Sequence, residues 1–277
     1  MTLYLRPRSV AEAVAAMADH RPRVLAGGTD LYPAVQGADL PGPLLDLSGV
    51  EGLGGIVPEG DGLRIGAMVT WAALAGAGLP PALRALQQAA VQVGGRQIQA
   101  AGTLGGNLCN ASPAADGVPP LMVCDAQVEL AGPGGVRRMA LGDFLTGPRR
   151  TALAPGELLA AVVIPGDGLA GRSAFLKLGA RAYLVISIAM VAVRVVVDGG
   201  RIARASVAVG ACSATARRLP VVEAALAGVP VGQAVECFSD TAVSGALAPL
   251  DDLRASAGYR GTAAAELIRR ALVEALA

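Results

Sequence analysis

A chain of 277 residues, 53% hydrophobic and 3% aromatic, with a formal net charge of +1, fits two or three compact units. Arginine and acidic residues are mixed along it, and no basic block is interleaved with aromatics, which argues against nucleic acid as a partner. Cys109, Cys124, Cys212 and Cys237 form no Cys-x-x-Cys pair, which argues against an iron–sulfur cluster or structural zinc held by this chain.

"MTLYLRPRSVAEAV" lacks a basic stretch leading into an apolar one, so no secretory signal and a cytoplasmic location are expected. Ser9, Glu12 and the Ala/Val/Met pattern of "SVAEAVAAMADH" predict a capping box and an amphipathic helix closed by His20. His20 is the single histidine, so Ser–His or Cys–His catalysis would have to rest on it alone. "RVLAGGTDLYPAV" predicts a short strand entering a Gly–Gly turn, and "LLDLSGV" and "GLRIGAMVT" further strands. "WAALAGAGLPPALRALQQAAVQV" reads as one helix, with Trp71 in the core at its start. "LMVCDAQVELAGPGGVRRMAL" reads as two strands about the turn "GPGG", and "ELLAAVVIP" as a strand stopped by Pro165.

From about residue 171 the pattern changes. "SAFLKLG" and "YLVISIAMVAVRVVVDGGRIARASVAVGAC" predict strands, with Asp198-Gly199-Gly200 as a tight hairpin turn. Ser187 and Arg194 interrupt the apolar run from Tyr183 before it reaches the roughly 20 residues that span a bilayer, so no membrane span is expected. "RRLPVVEAALAG" is helical, and "TAAAELIRRALVEALA" is a terminal helix with Arg269 and Arg270 near its negative end. These shifts divide the chain into units 1–55, 56–170 and 171–277.

The chemistry concentrates in two small-residue segments, "LAGGTDLYP" and "GTLGGNLCNASPAAD". Gly27-Gly28 and Gly105-Gly106 sit where strands should end, and such pairs let backbone amides approach an anion without lysines. Neither segment is Gly-x-Gly-x-x-Gly or a P-loop, so any nucleotide is held by another fold. Asn107, Ser112 and Asp116 add the donors and acceptors that a ribityl or ribose chain needs, while Cys109 reads as a small buried hydrophobe. Lys177 is the only lysine in the chain, a compact ammonium where every other basic side chain but His20 is a guanidinium. Asp125, Asp143 and Glu157 are not spaced as a catalytic pair and read as caps, turns or solvated charges.

The two segments, about 75 residues apart, closely resemble the FAD-binding motifs of the flavin subunit of molybdenum hydroxylases, the family of xanthine dehydrogenase and carbon monoxide dehydrogenase. "YLRPRSVAEAVA", "TALAPGELLAAVVIP", "SAFLKLGAR" and "APLDDLRASAGYR" extend the resemblance over the whole length. It implies an α+β fold: two FAD-binding subdomains of the PCMH, vanillyl-alcohol-oxidase-like type, then a small C-terminal α+β domain of the CO dehydrogenase flavoprotein type.

By the same resemblance, FAD is bound noncovalently. Ala26, Gly27, Gly28, Thr29 and Asp30, with Thr103, Leu104, Gly105, Gly106 and Asn107, wrap its diphosphate through backbone amides. Ser112 and Asp116 lie along the ribityl or ribose portion, and Lys177 lies near the isoalloxazine, the alternative being a surface strand lysine. Tyr183, from its planar ring rather than from the resemblance, reads as a flavin neighbour or as a strand aromatic in the core. No side chain is expected to act as nucleophile or base. The implied role is electron transfer, from the 2Fe–2S clusters of a small partner subunit to an external acceptor. A large molybdopterin subunit completes the complex, expected as a dimer of heterotrimers. Competing readings are a self-sufficient flavin oxidase of the vanillyl-alcohol-oxidase type and a cofactor-free assembly subunit. Gln99-Ala100 stands where the family often has Arg-Asn, and Thr29-Asp30 where CO dehydrogenase relatives have Gln-Ser or His-Ser, which leaves the subfamily and substrate open.

Overall fold

The computed structural model describes residues 3–35, 40 and 42–277. Its first unit comprises β1 (Tyr4–Leu5), α1 (Val10–His20), β2 (Arg23–Leu25) and β3 (Leu44–Asp46), with the strands parallel in the order β1-β3-β2. The predicted cap is present: Ser9 Oγ accepts the Glu12 N–H at 3.2 Å, and Glu12 Oε2 accepts the Arg8 N–H at 2.8 Å. Such a cap contributes about 1 kcal/mol.

The second unit opens with β4 (Ile56–Glu59) and β5 (Gly62–Gly66). It leaves the sheet for α2 (Trp71–Gly76), α3 (Arg84–Ala90), α4 (Arg96–Ala101), α5 (Leu104–Asn110) and α6 (Val118–Val123). It returns through β6 (Gln127–Gly132), β7 (Gly135–Ala140), α7 (Leu141–Phe144), β8 (Leu145–Gly147), β9 (Arg150–Thr151) and β10 (Leu158–Ile164). The five-stranded sheet has the order β4-β5-β10-β6-β7, with β10 central and buried along its whole length. The single helix expected over residues 71–93 is broken into α2 and α3. Ala77 turns extended after Gly76, and Pro80 and Pro81 supply no N–H to continue the ladder. "LMV", expected to begin a strand, instead ends α6.

The third unit is a four-stranded antiparallel sheet, β11 (Arg172–Leu178), β12 (Ala189–Asp198), β13 (Arg201–Gly210) and β14 (Arg217–Arg218). α8 (Pro220–Leu226), α9 (Asp240–Gly245) and α10 (Ala257–Leu276) complete it. Gly199 and Gly200, with φ of 53° and 75°, make the predicted hairpin turn. α10 starts at Ala257, five residues ahead of the predicted helix, because Ser256 caps it through the Tyr259 N–H.

β12 is buried on both faces from Ala189 to Val195, which explains why that stretch is apolar but for Arg194. Met190 and Ala192 pack into the core of the second unit, while Val191, Val193 and Val195 pack with α10. Arg194, the polar break in that run, is 1% exposed. Its guanidinium donates to the carbonyls of Val123, Asp167 and Ala170 at 2.5, 2.8 and 3.2 Å and pairs with Asp125 at 3.1 Å. The residue that interrupts the strand pattern therefore rivets the third unit to the second. The strand predicted from Tyr183 begins only at Ala189. Leu184 has φ of 54°, and Arg181 holds the carbonyls of Tyr183 and Leu184, so residues 183–187 run as an irregular segment.

Candidate functional site

The turn after β2 is shaped by its glycines. Gly28 has φ of 71°, a conformation that strains any side chain. Gly27 does not, but a Cβ there would lie 1.9 Å from the Ala101 carbonyl oxygen, so this turn packs against the end of α4 backbone to backbone. The chain then winds into a helical turn in which the Tyr32 N–H donates to the Gly28 carbonyl at 3.0 Å. Among the described residues, the N–H groups of Gly27, Gly28, Thr29 and Asp30 donate to no protein acceptor. Free amides opening a helical turn form a place for an anion.

The second glycine pair is built differently. Gly105 and Gly106 do not end a strand; they lie in the first turn of α5, whose cap is Thr103. Thr103 Oγ1 accepts the Gly106 N–H at 3.0 Å, and the Thr103 carbonyl accepts the Asn107 N–H at 3.1 Å. The N–H groups of Leu104 and Gly105 donate to the Val69 and Ala67 carbonyls at 2.9 and 2.8 Å, and the Leu104 side chain is fully buried. The amides from Leu104 to Asn107 thus tie α5 in place. A Cβ on Gly105 would come within 2.6 Å of the Ala67 Cβ, so this glycine is fixed by packing.

Between the two motifs lies a cavity of about 420 Å³, lined by Ala26 to Asp30, Thr103, Gly105, Gly106, Cys109 and Asn110 over an apolar floor that includes Leu47 and Leu159. Asn110 Nδ2 donates to Asp30 Oδ1 at 2.8 Å, and Arg149 bonds Asn110 Oδ1, making a polar rim. Cys109 is exposed on this wall rather than buried, because α5 turns that face toward the cavity.

α5 also borders a second cavity, of about 340 Å³, through Asn107. Gly94, Gly95, Ile98, Asp116, Lys177 and residues 184–186 line it as well. Lys177 Nζ meets Asp116 Oδ2 at 2.6 Å, each side chain 8% exposed, and Ser187 Oγ donates to Asp116 Oδ1 at 2.6 Å. Burial pushes the Asp116 carboxyl above the usual carboxylate range, against the pull of Lys177 and both hydrogen bonds. Asn107 Oδ1, on a residue that lines the second cavity, is buried with no partner among the described residues, an unmet acceptor. An orphaned amide oxygen, four free backbone amides and two cavities bordered by α5 suit a long ligand carrying both phosphate oxygens and hydroxyls, as FAD does.

Of the expected residues, Ala26 to Asp30, Thr103, Gly105 and Gly106 line the first cavity and Asn107, Asp116 and Lys177 the second. Ser112 opens instead on a neighbouring hollow of about 310 Å³ with Arg149, Ser187 and Arg260, and its Oγ accepts the Ala114 N–H. Tyr183 is 77% exposed, one residue before the cavity-lining Leu184. Arg149 and Ser187 escaped the sequence reading as site residues: each acts through a partner far away in the chain, and neither carries a local pattern. Gln99, which stands where the family often has Arg, donates to the carbonyl of Val91 at 3.0 Å.

Among the described residues no cluster of His, Cys, Asp or Glu is arranged to hold a metal, and no helix is long and apolar enough to cross a membrane.

Residues 1–167 match the family described as the FAD binding domain in molybdopterin dehydrogenase, and residues 174–275 match the CO dehydrogenase flavoprotein C-terminal domain. The chain is 37% identical over 289 residues to a carbon monoxide dehydrogenase medium chain of Afipia carboxidovorans, covering 99% of this chain and 96% of that one. It is 31% identical over 281 residues to a putative xanthine dehydrogenase FAD-binding subunit of Escherichia coli, covering 99% and 96%. The fold superposes on a chain of reconstituted CO dehydrogenase from Oligotropha carboxidovorans with a TM-score of 0.92 at 32% identity, covering 100% and 98%.

Proposed function

Because the chain belongs to the FAD-binding subunits of the molybdopterin dehydrogenases, we propose that it works as their electron-transfer component, holding FAD noncovalently between 2Fe–2S clusters of a small partner subunit and an external acceptor. The flavin supplies a ring system able to take up electrons singly or in pairs. This chain's residues bind, orient and screen it.

In this reading the free amides of Gly27 to Asp30 hold the diphosphate, and the bare surface of Gly105 and Gly106 lets it approach α5. Asn107, Ser112 and Asp116 meet the hydroxylated portion. Lys177 presents an ammonium at the second cavity, where Ile98, Leu184 and Ile186 keep water from the ring, and Tyr183 supplies an aromatic face at its edge. A partner carries the molybdopterin. The relatives are a medium chain and a FAD-binding subunit by name, which supports a heteromeric assembly; a dimer of heterotrimers in the cytoplasm, with unit boundaries near residues 55 and 170, belongs to the same proposal.

One observation carries the reading: the amides of Gly27 to Asp30, which have no acceptor among the described residues, belong to a turn that lines one cavity together with the paired-glycine start of α5. The purified chain should be yellow and release about one FAD per chain on heating. A colourless chain that also takes up no added FAD would refute it.

A further inference from the structure

Lys177, Asp116 and Ser187 form a buried chain of groups at the seam between the second and third units. Asp116 precedes α6, Lys177 lies on β11, and Ser187 ends the irregular segment that leads into β12. The carboxylate accepts one bond on each oxygen, 2.6 Å from Lys177 and 2.6 Å from Ser187, and Ser187 is 2% exposed. The serine hydroxyl therefore fastens the end of the 184–186 cavity wall to the group that faces the lysine.

We infer that Ser187 is a positioning residue for the cofactor site: its hydroxyl orients the Asp116 carboxyl group and, through Asp116, holds the Lys177 side chain in place at the second cavity. Only the last link, from Lys177 to bound FAD, rests on the proposed function. A buried carboxylate has lost its hydration, so the few groups that bond it decide whether it stays ionised. Lys177 is the charged group that acts on Asp116, and Ser187 is the neutral donor. Without the hydroxyl, Oδ1 is left without its partner, the proton affinity of Asp116 rises, and its protonated form no longer balances the ammonium. The short Ser187 side chain reaches Asp116 from the entry to β12 and brings one hydroxyl donor.

Lys177 is the only lysine, so the full chain grown with lysine carbon-labelled at Cε gives one side-chain resonance to follow against pH. Its shift should show an inflection from Asp116 in the wild type. That inflection should move up by about one pH unit in Ser187→Ala, as expected for removing one hydrogen bond to a buried charge, and be absent in Asp116→Asn. Ser187→Ala added to Asp116→Asn should change nothing further, and Ser187→Thr should keep the wild-type inflection. The acid limb of the FAD affinity profile should move in parallel. An unmoved inflection in Ser187→Ala, or an equal effect in the Asp116→Asn background, overturns the inference. If Ser187→Ala fails to fold, Ser187→Cys, a weaker donor of similar size, carries the same expectation. A wild type with the inflection but no uptake of FAD would instead sink the flavin reading and leave the Ser187–Asp116–Lys177 link standing.

Discussion

Gly27→Ala tests whether the first motif is positioned by its contact with α4. The added Cβ would stand 1.9 Å from the Ala101 carbonyl oxygen, and Cβ atoms essentially never approach closer than 3.0 Å, so the turn must retreat by about 1 Å. The neighbour is backbone and cannot rotate away. Gly27 is not in the left-handed region, so the perturbation is steric alone. If the turn resists, overpacking costs roughly 1–3 kcal/mol of stability. If it yields, the free amides of Gly27 to Asp30 move away from the α5 side of the cavity. Losing one bond to a phosphate oxygen, about 1.5–3 kcal/mol, then weakens FAD binding on the order of 10- to 100-fold. Thermal unfolding of the apoprotein and flavin-fluorescence titration on the same preparation separate the two responses. Gly78→Ala serves as control, since its Cβ would meet nothing within 4 Å and its φ is ordinary. A Gly27→Ala chain with wild-type melting temperature and wild-type FAD affinity would refute the contact as the positioning device.

Arg194→Met keeps the apolar stem but takes the donor from the buried Val123 carbonyl and the part-buried Ala170 carbonyl, while Asp167 and Asp125 keep Arg204 and Arg218; it should cost on the order of 2–4 kcal/mol in urea unfolding, and a loss below about 1 kcal/mol would show that the seam does not depend on it. Asp252 accepts the Arg254 and Ala255 N–H groups and pairs with Arg260, which hold its carboxyl down to about 2. Its folded value is depressed, so its stabilisation is present above the ordinary carboxylate range and is lost as pH falls toward about 2. Unfolding midpoints of Asp252→Asn should therefore fall less steeply than wild type across that window. Parallel profiles for the two proteins would count against the assignment.

Much of the local structure was legible because its rules act over a few residues. Ser9 and Glu12 announced α1, Gly199-Gly200 the β12–β13 hairpin, "GPGG" the β6–β7 turn, and Pro165 the end of β10. The family resemblance likewise rested on short contiguous motifs, and most of the residues it named line the two cavities. The sequence was misread where a short-range rule met a competing one. Residues 71–93 have a helical pattern, yet Gly76 and the Pro80-Pro81 pair divide it. Gly105-Gly106 looked like a strand-end turn, but the Thr103 cap and the packing on Ala67 make it a helix start with its amides already engaged.

By itself the sequence marked two small-residue segments as the places where backbone would be exposed to close approach, and one unusual lysine. Only the tertiary structure decided what surrounds them. It placed Asp116 against Lys177 and Ser187 across 61 and 71 positions, turned Arg194 from an interruption into a rivet, and left the amides of the first motif free while engaging those of the second. The physical reason is burial. Whether an amide, a carboxylate or a guanidinium is free or held depends on which distant groups are packed beside it once water is excluded, and no local pattern records that.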